Sequence, residues 1–211
     1  GALIGIFVEE SIDEIASRYP QTLTRRFREI ESERLRLQVL DWLDLEKQRA
    51  PFRIFEKEQK HEVIAGGIRV QLKIDRVDEL PDGRQVIIDY KTGEVKSGQW
   101  FGERPDEPQL PLYSMAVRGN IAGVTFGQVK AGGMGFNGVA EEDGLAPGVK
   151  SYESLKQTRD SNSWLEVLDN WRATMERLGK AFHAGEASVD PKNSLTCTFC
   201  ELKPLCRINE S

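Results

Sequence analysis

The chain has 211 residues, of which 39% are hydrophobic, so it is long enough to bury a core as one domain, alone or with an appendage. Its formal net charge of −5 argues against a protein that coats nucleic acid through bulk positive charge, because non-specific affinity grows with the number of phosphates neutralised. A nucleic-acid substrate would have to meet a local basic groove, or metal ions held by carboxylates.

We expect no targeting or membrane-spanning segment in the given sequence. Its longest apolar runs, such as residues 4–8 and 86–88, are far shorter than the roughly 20 residues that span a bilayer. No basic-then-apolar signal peptide opens the chain, so we expect a cytoplasmic protein. Because the sequence starts at Gly1 without an initiator Met, we also expect a fragment of something longer.

The first predicted elements are one or two helices between about residues 9 and 49, punctuated by Pro20 and Pro51. Apolar residues recur there at mostly three- and four-residue spacings, namely Phe27, Ile30, Leu37, Leu40 and Leu43. Several arginines are interspersed with glutamates, which indicates a salt-bridged helix surface rather than a DNA-binding patch: Arg25, Arg26, Arg28, Arg34 and Arg36.

A β-hairpin is predicted over residues 68–93. Apolar and polar residues alternate from Ile68 to Asp75, which is the two-residue period of a half-buried strand. Pro81-Asp82-Gly83 predicts a turn, and a second alternating segment runs over residues 86–91.

The later elements are predicted from helical spacing and from glycine and proline positions. We expect a helix over 105–118, a strand over 124–130, and a loop or weak hairpin in the Gly-rich stretch 132–150. A helix over 164–184 is predicted to have a capping box formed by Ser163 and Glu166 and to stop at Gly185. Its apolar stripe consists of Trp164, Leu168, Trp171, Met175, Leu178 and Phe182.

The hairpin places two carboxylates opposite each other. Facing residues have a constant sum of sequence numbers, so pairing Leu80 with Arg84 across the turn sets Asp75 against Asp89. Their Cβ atoms would be about 4.5–5.5 Å apart, and the carboxylates would repel unless a cation lay between them. A shift of the turn by one residue would break this pair.

Lys91 lies two residues beyond Asp89, so its side chain emerges on the same face of the strand. There an ammonium can orient a water or stabilise charge that develops on a phosphate. Two Asp and a Lys are the parts of metal-assisted phosphodiester hydrolysis, and hard oxygen ligands favour Mg²⁺ or Mn²⁺ over Zn²⁺. The simpler interpretation of a single Asp-x-Lys is a hairpin with a solvated polar face.

The longer pattern resembles the core of the PD-(D/E)XK nucleases in their RecB-like form. It consists of Lys73-Ile74-Asp75-Arg76-Val77-Asp78, the Pro-Asp-Gly turn and Val86-Ile87-Ile88-Asp89-Tyr90-Lys91-Thr92-Gly93. That form also has a Gln-x-x-x-Tyr helix, matched here by Gln109-Leu110-Pro111-Leu112-Tyr113, 18 residues past Lys91. The resemblance reaches from about residue 56 to the end of the chain.

The resemblance implies an α/β fold with a restriction-endonuclease-like core, in which a central mixed β-sheet is flanked by helices. It implies Asp75 and Asp89 as metal ligands and Lys91 as the residue that orients the attacking water. Gln109 and Tyr113 are implied to lie near the DNA backbone or the active-site face. We divide the chain into an N-terminal helical segment (1–55), the nuclease core (56–185) and a cysteine-rich tail that packs on the core (186–211).

Related nucleases also carry a metal-binding His in a Gly-x-x-x-His helix before the hairpin. Here Gly1-Ala2-Leu3-Ile4 is followed by Gly5, so either that His is replaced or the matching residues lie outside the given sequence. The two histidines present, His61 before the hairpin and His183 at a helix end, are interpreted as structural or surface residues.

The three cysteines lie close together in the tail at Cys197, Cys200 and Cys206. An odd number at tight spacing indicates ligands rather than a disulfide framework, and soft thiolates favour zinc or an iron-sulfur cluster. RecB/AddB-like nucleases with an iron-sulfur staple are similar here. This implies a structural [4Fe-4S] cluster in the full-length protein, incomplete in this chain because its fourth Cys lies upstream. The alternatives are three free thiols, or zinc held by the cysteines and a His.

Two functions are considered for Trp100 and Phe101, which are flanked by glycines. They could stack on a DNA base, because aromatic faces bind bases without sequence preference. A hydrophobic anchor is the more common use of such a pair.

The resemblance implies a Mg²⁺-dependent deoxyribonuclease. More specifically, it implies an exonuclease that acts with a helicase subunit, or a helicase domain of the same polypeptide, in DNA repair and recombination. Two alternatives stay open: a nuclease of the CRISPR-adaptation type, and a catalytically inactive nuclease fold that binds DNA or serves as a scaffold.

Overall fold

The computed structural model describes residues 2–198 and 200–206. Its centre is a six-stranded sheet in the order β1-β2-β3-β4-β5-β6, in which β3/β4 and β5/β6 are parallel and the other neighbours antiparallel. The strands are β1 (Arg53–Ala65), β2 (Ile68–Glu79), β3 (Gln85–Lys91), β4 (Ile121–Gln128), β5 (Gly135–Ala140) and β6 (Val149–Ser151). The predicted mixed sheet of an α/β fold is therefore confirmed.

Helices cover both faces of this sheet. The α-helices of the described residues are α1 (Ala2–Arg18), α2 (Arg25–Glu46), α3 (Gln109–Ala116), α4 (Trp164–His183), α5 (Ser194–Thr198) and α6 (Lys203–Cys206). Ile87 of β3 lies in the core with α3 and α4, whereas Val86 and Ile88 lie in a second core with Trp42 of α2. Burial on both faces explains the uninterrupted apolar run at residues 86–88. No helix in the described ranges is long and apolar enough to cross a bilayer.

The predicted register of the β2–β3 hairpin is confirmed. Val77 pairs with Ile87 and Arg76 with Ile88, so the next position along each strand sets Asp75 against Asp89. The turn closes with a hydrogen bond from the Leu80 N–H to the Arg84 carbonyl oxygen. The backbone at Gly83 is left-handed, which a residue without a Cβ adopts at little cost.

Strand β1 is an element that the sequence pattern does not reveal. It occupies the stretch around His61, before the hairpin, for which the sequence predicts no element, and it pairs with β2 at the edge of the sheet. Most of its side chains are exposed, so it lacks the apolar alternation by which a half-buried strand is recognised. At its far end, Gly66 packs so closely on α4 that an added Cβ would lie 2.1 Å from the Lys180 nitrogen.

The Gly-rich stretch 132–150 is a second difference. The prediction of a loop or weak hairpin there is wrong, because the stretch contributes β5 and β6 to the central sheet. Its glycines allow close packing between strands: a Cβ at Gly138 would lie 2.5 Å from the Val124 carbonyl oxygen. Glycine therefore indicates close backbone approach here rather than a turn.

The N-terminal helices form as predicted, but their apolar residues do not all face a core. Phe27, Ile30, Leu37 and Leu43 are exposed on α2, whose buried residues are Trp42 and Glu46 near its end. The arginines pair with nearby carboxylates as expected, for example Arg25 with Glu29, Arg34 with Glu31 and Arg36 with Glu33.

The remaining predicted elements are confirmed with shifted ends. Helix α3 begins only at Gln109, after Pro108, and β4 begins three residues before the predicted start. Helix α4 is capped by Ser163, whose hydroxyl accepts the N–H of Glu166. The Glu166 carboxylate accepts the N–H of Asn162 instead of closing the box on Ser163.

Candidate active site

Asp89 is the most deeply buried acidic group of the site, at the carboxyl end of β3. Its residue is 2% exposed, and its Oδ1 accepts a 2.7 Å hydrogen bond from Gln109 Nε2. Lys91 Nζ lies 2.8 Å from Oδ2, so the two side chains form an ion pair. Burial raises the pKa of Asp89, and the Lys91 ammonium only partly offsets this.

Asp75 lies one residue beyond the last regular pair of β2 and β3. Its side chain is half-buried, and its Oδ2 accepts a 2.8 Å hydrogen bond from the backbone N–H of Tyr90. The Tyr90 N–H is thus bonded to a side-chain oxygen of β2 instead of a backbone carbonyl oxygen, at the point where the regular β2–β3 pairing ends. This contact holds the Asp75 carboxylate beside β3, one residue from Asp89.

Lys91 is held by groups from three elements. Its Nζ donates a 2.6 Å hydrogen bond to Gln109 Oε1, forms the ion pair with Asp89, and lies 5.4 Å from the ring centre of Phe126. The side chain remains 31% exposed, so the ammonium is fixed at one end and still accessible to a ligand. The same-face position predicted for Asp89 and Lys91 is therefore present.

Gln109 and Tyr113 lie one helical turn apart on α3 and connect that helix to both strands. Because Lys91 has only donors, its contact identifies Oε1 of Gln109, and Nε2 then donates both to Asp89 and to the Tyr113 hydroxyl at 2.6 Å. The hydroxyl donates to the Lys73 carbonyl oxygen at 2.7 Å. Burial raises the pKa of Tyr113 to about 12, which keeps this phenol protonated.

The loop between β3 and α3 is anchored by aromatic packing. Trp100 is fully buried and packs edge-on against Phe126 and Trp171, so the anchor interpretation holds for it and the base-stacking interpretation is wrong. Phe101 also packs on Trp171, with ring centres 5.3 Å apart. This anchoring fixes the approach of the chain to α3 and hence the position of Gln109.

Asn137 of β5 is a supporting residue that sequence reasoning does not find. Its Nδ2 donates to the Val95 carbonyl oxygen at 3.0 Å, and its Oδ1 accepts the N–H of Ser97. It thereby holds the loop that follows Lys91. A single Asn in a Gly-rich strand carries no sequence signal for this role.

A second set of charges lies behind the site, on the α2 face of the same strands. We call it the α2 ion cluster, and it consists of Glu46, Arg49, Arg76 and Asp78. Arg76 pairs with both carboxylates, at 2.7 Å to Asp78 and 3.0 Å to Glu46. Arg49 also pairs with both, at 2.8 Å to Glu46 and 2.7 Å to Asp78. Arg76 further donates to the Tyr90 hydroxyl at 2.9 Å, so the cluster braces the residue whose N–H binds Asp75.

The donors at Asp75 and Asp89 fit a small divalent cation with few protein ligands. The Asp89 carboxylate is 2% exposed and pairs with the Lys91 ammonium, and a further nearby cation would stabilise a carboxylate buried in this way. Within the described ranges, no three His, Cys, Asp or Glu side chains converge as a metal-binding group. A cation that keeps several waters, as Mg²⁺ does, is compatible with two carboxylates. His61 instead contacts Glu56 at 2.9 Å, and His183 packs against Gly67.

The three tail cysteines are free and partly buried. They do not form a convergent metal-binding group in the part of the chain that the structure describes. The Cys200 sulfur accepts the N–H of Leu202 at 3.4 Å, and the Cys206 sulfur lies 3.6 Å from the Lys203 carbonyl oxygen. The iron-sulfur prediction thus finds no support in this geometry.

Comparison with known proteins identifies the family. A model of the PD-(D/E)XK nuclease superfamily matches residues 5–207. The chain belongs to this superfamily. Membership in the PD-(D/E)XK superfamily implies nuclease activity in general, and the narrower RecB/AddB-like assignment stays a prediction.

The other comparisons add little to that assignment. No curated protein matches the chain. A solved structure described as "Crystal structure of SSO0001" aligns over 98% of this chain and 96% of that chain, at 15% sequence identity and a TM-score of 0.39. A similarity this low carries no functional argument.

Proposed function

We propose that this PD-(D/E)XK protein is a deoxyribonuclease that depends on Mg²⁺ or Mn²⁺ and hydrolyses DNA phosphodiester bonds at Asp75, Asp89 and Lys91. The observation that carries the proposal is the opposition of two carboxylates, Asp75 and the buried Asp89, at the end of the hairpin, with Lys91 paired to Asp89. Asp89 pairs with the Lys91 ammonium, whereas Asp75 accepts the neutral backbone N–H of Tyr90, so a divalent cation would balance the negative charge that remains. Membership in a nuclease superfamily supports the same conclusion.

When bound at Asp75 and Asp89, the cation would lower the pKa of a water ligand and neutralise charge on the scissile phosphate. The chain's own residues orient the reacting groups. Lys91 has three N–H donors, and its contacts with Asp89 and Gln109 leave donor capacity for a water or a phosphate oxygen. Hydrolysis joins the water oxygen to phosphorus and breaks the bond to a sugar oxygen, which leaves with a proton.

Gln109 and Tyr113 act as positioning groups in this proposal. Gln109 contacts both Asp89 and Lys91, so it fixes the two side chains relative to each other. Tyr113 holds Gln109 and is itself tied to the backbone of β2. Since β2 carries Asp75, this chain of hydrogen bonds links all elements of the site.

The finer proposal is an exonuclease that works beside a helicase in DNA repair or recombination. It is supported by the resemblance of the hairpin and of Gln109-x-x-x-Tyr113 to helicase-linked nucleases. An exonuclease requires a DNA end, so it would degrade linear DNA and leave covalently closed circles intact.

The test is degradation of end-labelled linear DNA and of closed circular DNA with Mg²⁺ or Mn²⁺, with an EDTA control. Asp89→Ala is the site variant, and Asp82→Asn in the exposed turn of the same hairpin is its matched control. Cleavage that EDTA and Asp89→Ala abolish, and that Asp82→Asn retains, supports the proposal. DNA binding without cleavage, together with no Mn²⁺ binding, would overturn it and favour an inactive nuclease fold.

A further inference from the structure

The β1–β2 ladder is interrupted directly beside the site. Lys57 pairs with Arg76, and Gln59 pairs with Ile74. The intervening residues, Glu58 on β1 and Asp75 on β2, therefore stand across from each other but do not form a regular pair. Opposed residues in a regular ladder have Cβ atoms about 4.5–5.5 Å apart, so regular pairing would bring two carboxylates together.

The backbone of Glu58 is unusual at this position. Its φ is 53°, and across residues 2–198 and 200–206 it is the single residue other than glycine with a positive φ. Left-handed backbone is unfavourable for a residue with a Cβ, and such strain is concentrated at functional sites. Here the strain coincides with the position across from Asp75.

The Glu58 carboxylate pairs with the ammonium of Lys73 rather than lying against Asp75. Lys73 precedes Asp75 by two residues on β2, so both side chains emerge on the same face of the strand. The hydrogen bond and charge of Glu58 raise the pKa of Lys73, and the charge of Asp75 adds to this effect. Lys73 thus has two carboxylates within its electrostatic reach, and Glu58 holds it.

We propose that Glu58 is a positioning residue that keeps the Lys73 ammonium away from Asp75, so that the Asp75 carboxylate stays available to a divalent cation. Residues two apart on a strand are about 7 Å apart, a distance that the four-carbon stem of lysine spans. Without Glu58, Lys73 can turn to Asp75 and compete with the cation. The inference rests on the proposed function, because it assumes that Asp75 binds the metal.

The test is a double-mutant cycle with Mn²⁺ affinity as the readout, measured by calorimetry or by electron paramagnetic resonance without DNA. The variants are Glu58→Gln, Lys73→Gln and the double variant. We expect Glu58→Gln alone to weaken Mn²⁺ binding about three- to fivefold, as expected for a partly screened charge at this range. In the Lys73→Gln background the same change should have almost no effect, because the competing ammonium is gone.

The double-mutant cycle distinguishes two effects of Glu58 on Mn²⁺ affinity. One is competition between the Lys73 ammonium and Mn²⁺ for Asp75, and the other is the direct electrostatic attraction of Mn²⁺ to the Glu58 charge. If Glu58 acts only through its own charge, Glu58→Gln weakens binding by the same factor in both backgrounds, and that result overturns the inference. Glu58→Gly, which accepts the left-handed backbone without strain, should weaken Mn²⁺ binding as Glu58→Gln does while the protein keeps its melting temperature. Equal Mn²⁺ affinity of Glu58→Gly and the wild type would also overturn it.

Two further variants keep this test distinct from the test of the proposed function. Glu62→Gln removes a carboxylate that pairs with Arg69 at 3.1 Å across the same two strands, farther from Asp75, and should leave Mn²⁺ affinity unchanged. Asp89→Ala should abolish binding. If Asp89→Ala abolishes binding but Glu58→Gln does not weaken it, the positioning role fails and the proposed site stands; if the wild type binds no Mn²⁺, both fail.

Discussion

Strands β2 and β3 carry polar clusters on both faces, and the two clusters differ in charge balance. In the α2 ion cluster, two carboxylates face two guanidinium groups, and each acid contacts both arginines. On the opposite face, Asp89 pairs with the Lys91 ammonium, whereas Asp75 accepts the backbone N–H of Tyr90 and forms no ion pair among the described residues. A balanced buried cluster joins elements of the fold, whereas an unbalanced one leaves room for an external cation.

The two clusters are built from consecutive residues. Asp75 and Arg76 are neighbours on β2, and side chains of successive strand residues point to opposite faces. Tyr90 belongs to both sides, because its N–H binds Asp75 while its hydroxyl accepts a hydrogen bond from Arg76. Substitutions on either face can therefore test whether charge balance distinguishes a cluster that stabilises the fold from one that takes part in catalysis.

The largest expected effect is on activity at the unbalanced face. Asp89→Asn should reduce DNA cleavage by at least about 10³-fold, because it removes the carboxylate proposed to bind the cation. The same change should leave the metal-free melting temperature equal or higher, since Asn does not carry the charge that burial disfavours. Release of an end label and thermal unfolding in EDTA measure the two effects. Cleavage within tenfold of wild type would contradict the assigned role.

On the balanced face, the main effect should be on stability. Asp78→Ala leaves Arg49 and Arg76 with one carboxylate fewer. Removing one partner of a buried ion pair lowers the free energy of unfolding by about 3–5 kcal/mol. Urea unfolding of the metal-free protein measures this loss. Asp82→Ala, which removes an exposed carboxylate paired with Arg84, should cost about 1 kcal/mol or less. Equal losses for the two variants would remove the basis for calling the cluster structural.

A smaller effect on activity is expected at Gln109. Gln109→Ala should lower the rate of cleavage about 10–100-fold, the usual cost of losing a residue that orients a metal ligand. Tyr113→Phe keeps the ring and loses only the hydroxyl link to Gln109 and Lys73, so its loss should be smaller. Single-turnover rates at saturating Mg²⁺ measure both. A larger loss for Tyr113→Phe than for Gln109→Ala would contradict the proposal that Tyr113 acts through Gln109.

The smallest expected effect is on the pH dependence of stability. The pKa of Asp89 is higher in the folded than in the unfolded protein, so the folded state binds this proton more tightly. The stabilisation from this group is therefore present at low pH and is lost as pH rises from the unfolded pKa, about 3.9, through the folded pKa. The slope is at most about 1.4 kcal/mol per pH unit.

This slope is measured as the difference in unfolding free energy between wild type and Asp89→Asn in EDTA across that pH range. Saturating Mg²⁺ should reduce it, because a bound cation competes with the proton. A difference that stays flat with pH would show that Asp89 is not the group responsible.

The sequence predicts the hairpin and its register because short-range signals determine both. Pro81-Asp82-Gly83 specifies the turn, and strict alternation specifies which residues share a face, so the opposition of Asp75 and Asp89 follows. Gln109 enters through the family resemblance, since no local pattern connects it to Lys91. Asp75, Asp89 and Lys91 are therefore the residues of the site for which spacing along the chain is informative.

Other features depend on tertiary contacts that leave no local pattern. The pairing of Arg76 with Glu46 joins residues 30 positions apart, and neither residue type is expected to be buried before its partner is known. Strand β1 is exposed along most of its length, so its sequence resembles that of a surface loop. The tether from Asn137 depends on a strand whose glycines indicate a turn when read in isolation.

The space around the β1–β2 turn (residues 66–67) and the β2–β3 turn (residues 81–83) determines where foreign sequence can be added. An added Cβ at Gly66 would run into the backbone of α4, whereas nothing lies within 4 Å of such an atom at Gly83. A peptide tag or fluorophore inserted at residues 81–83 would lengthen an open turn at small entropic cost. The same insertion at residues 66–67 would separate β1 and β2 from α4. The 81–83 turn is therefore the position for a reporter on the strands that carry Asp75 and Asp89.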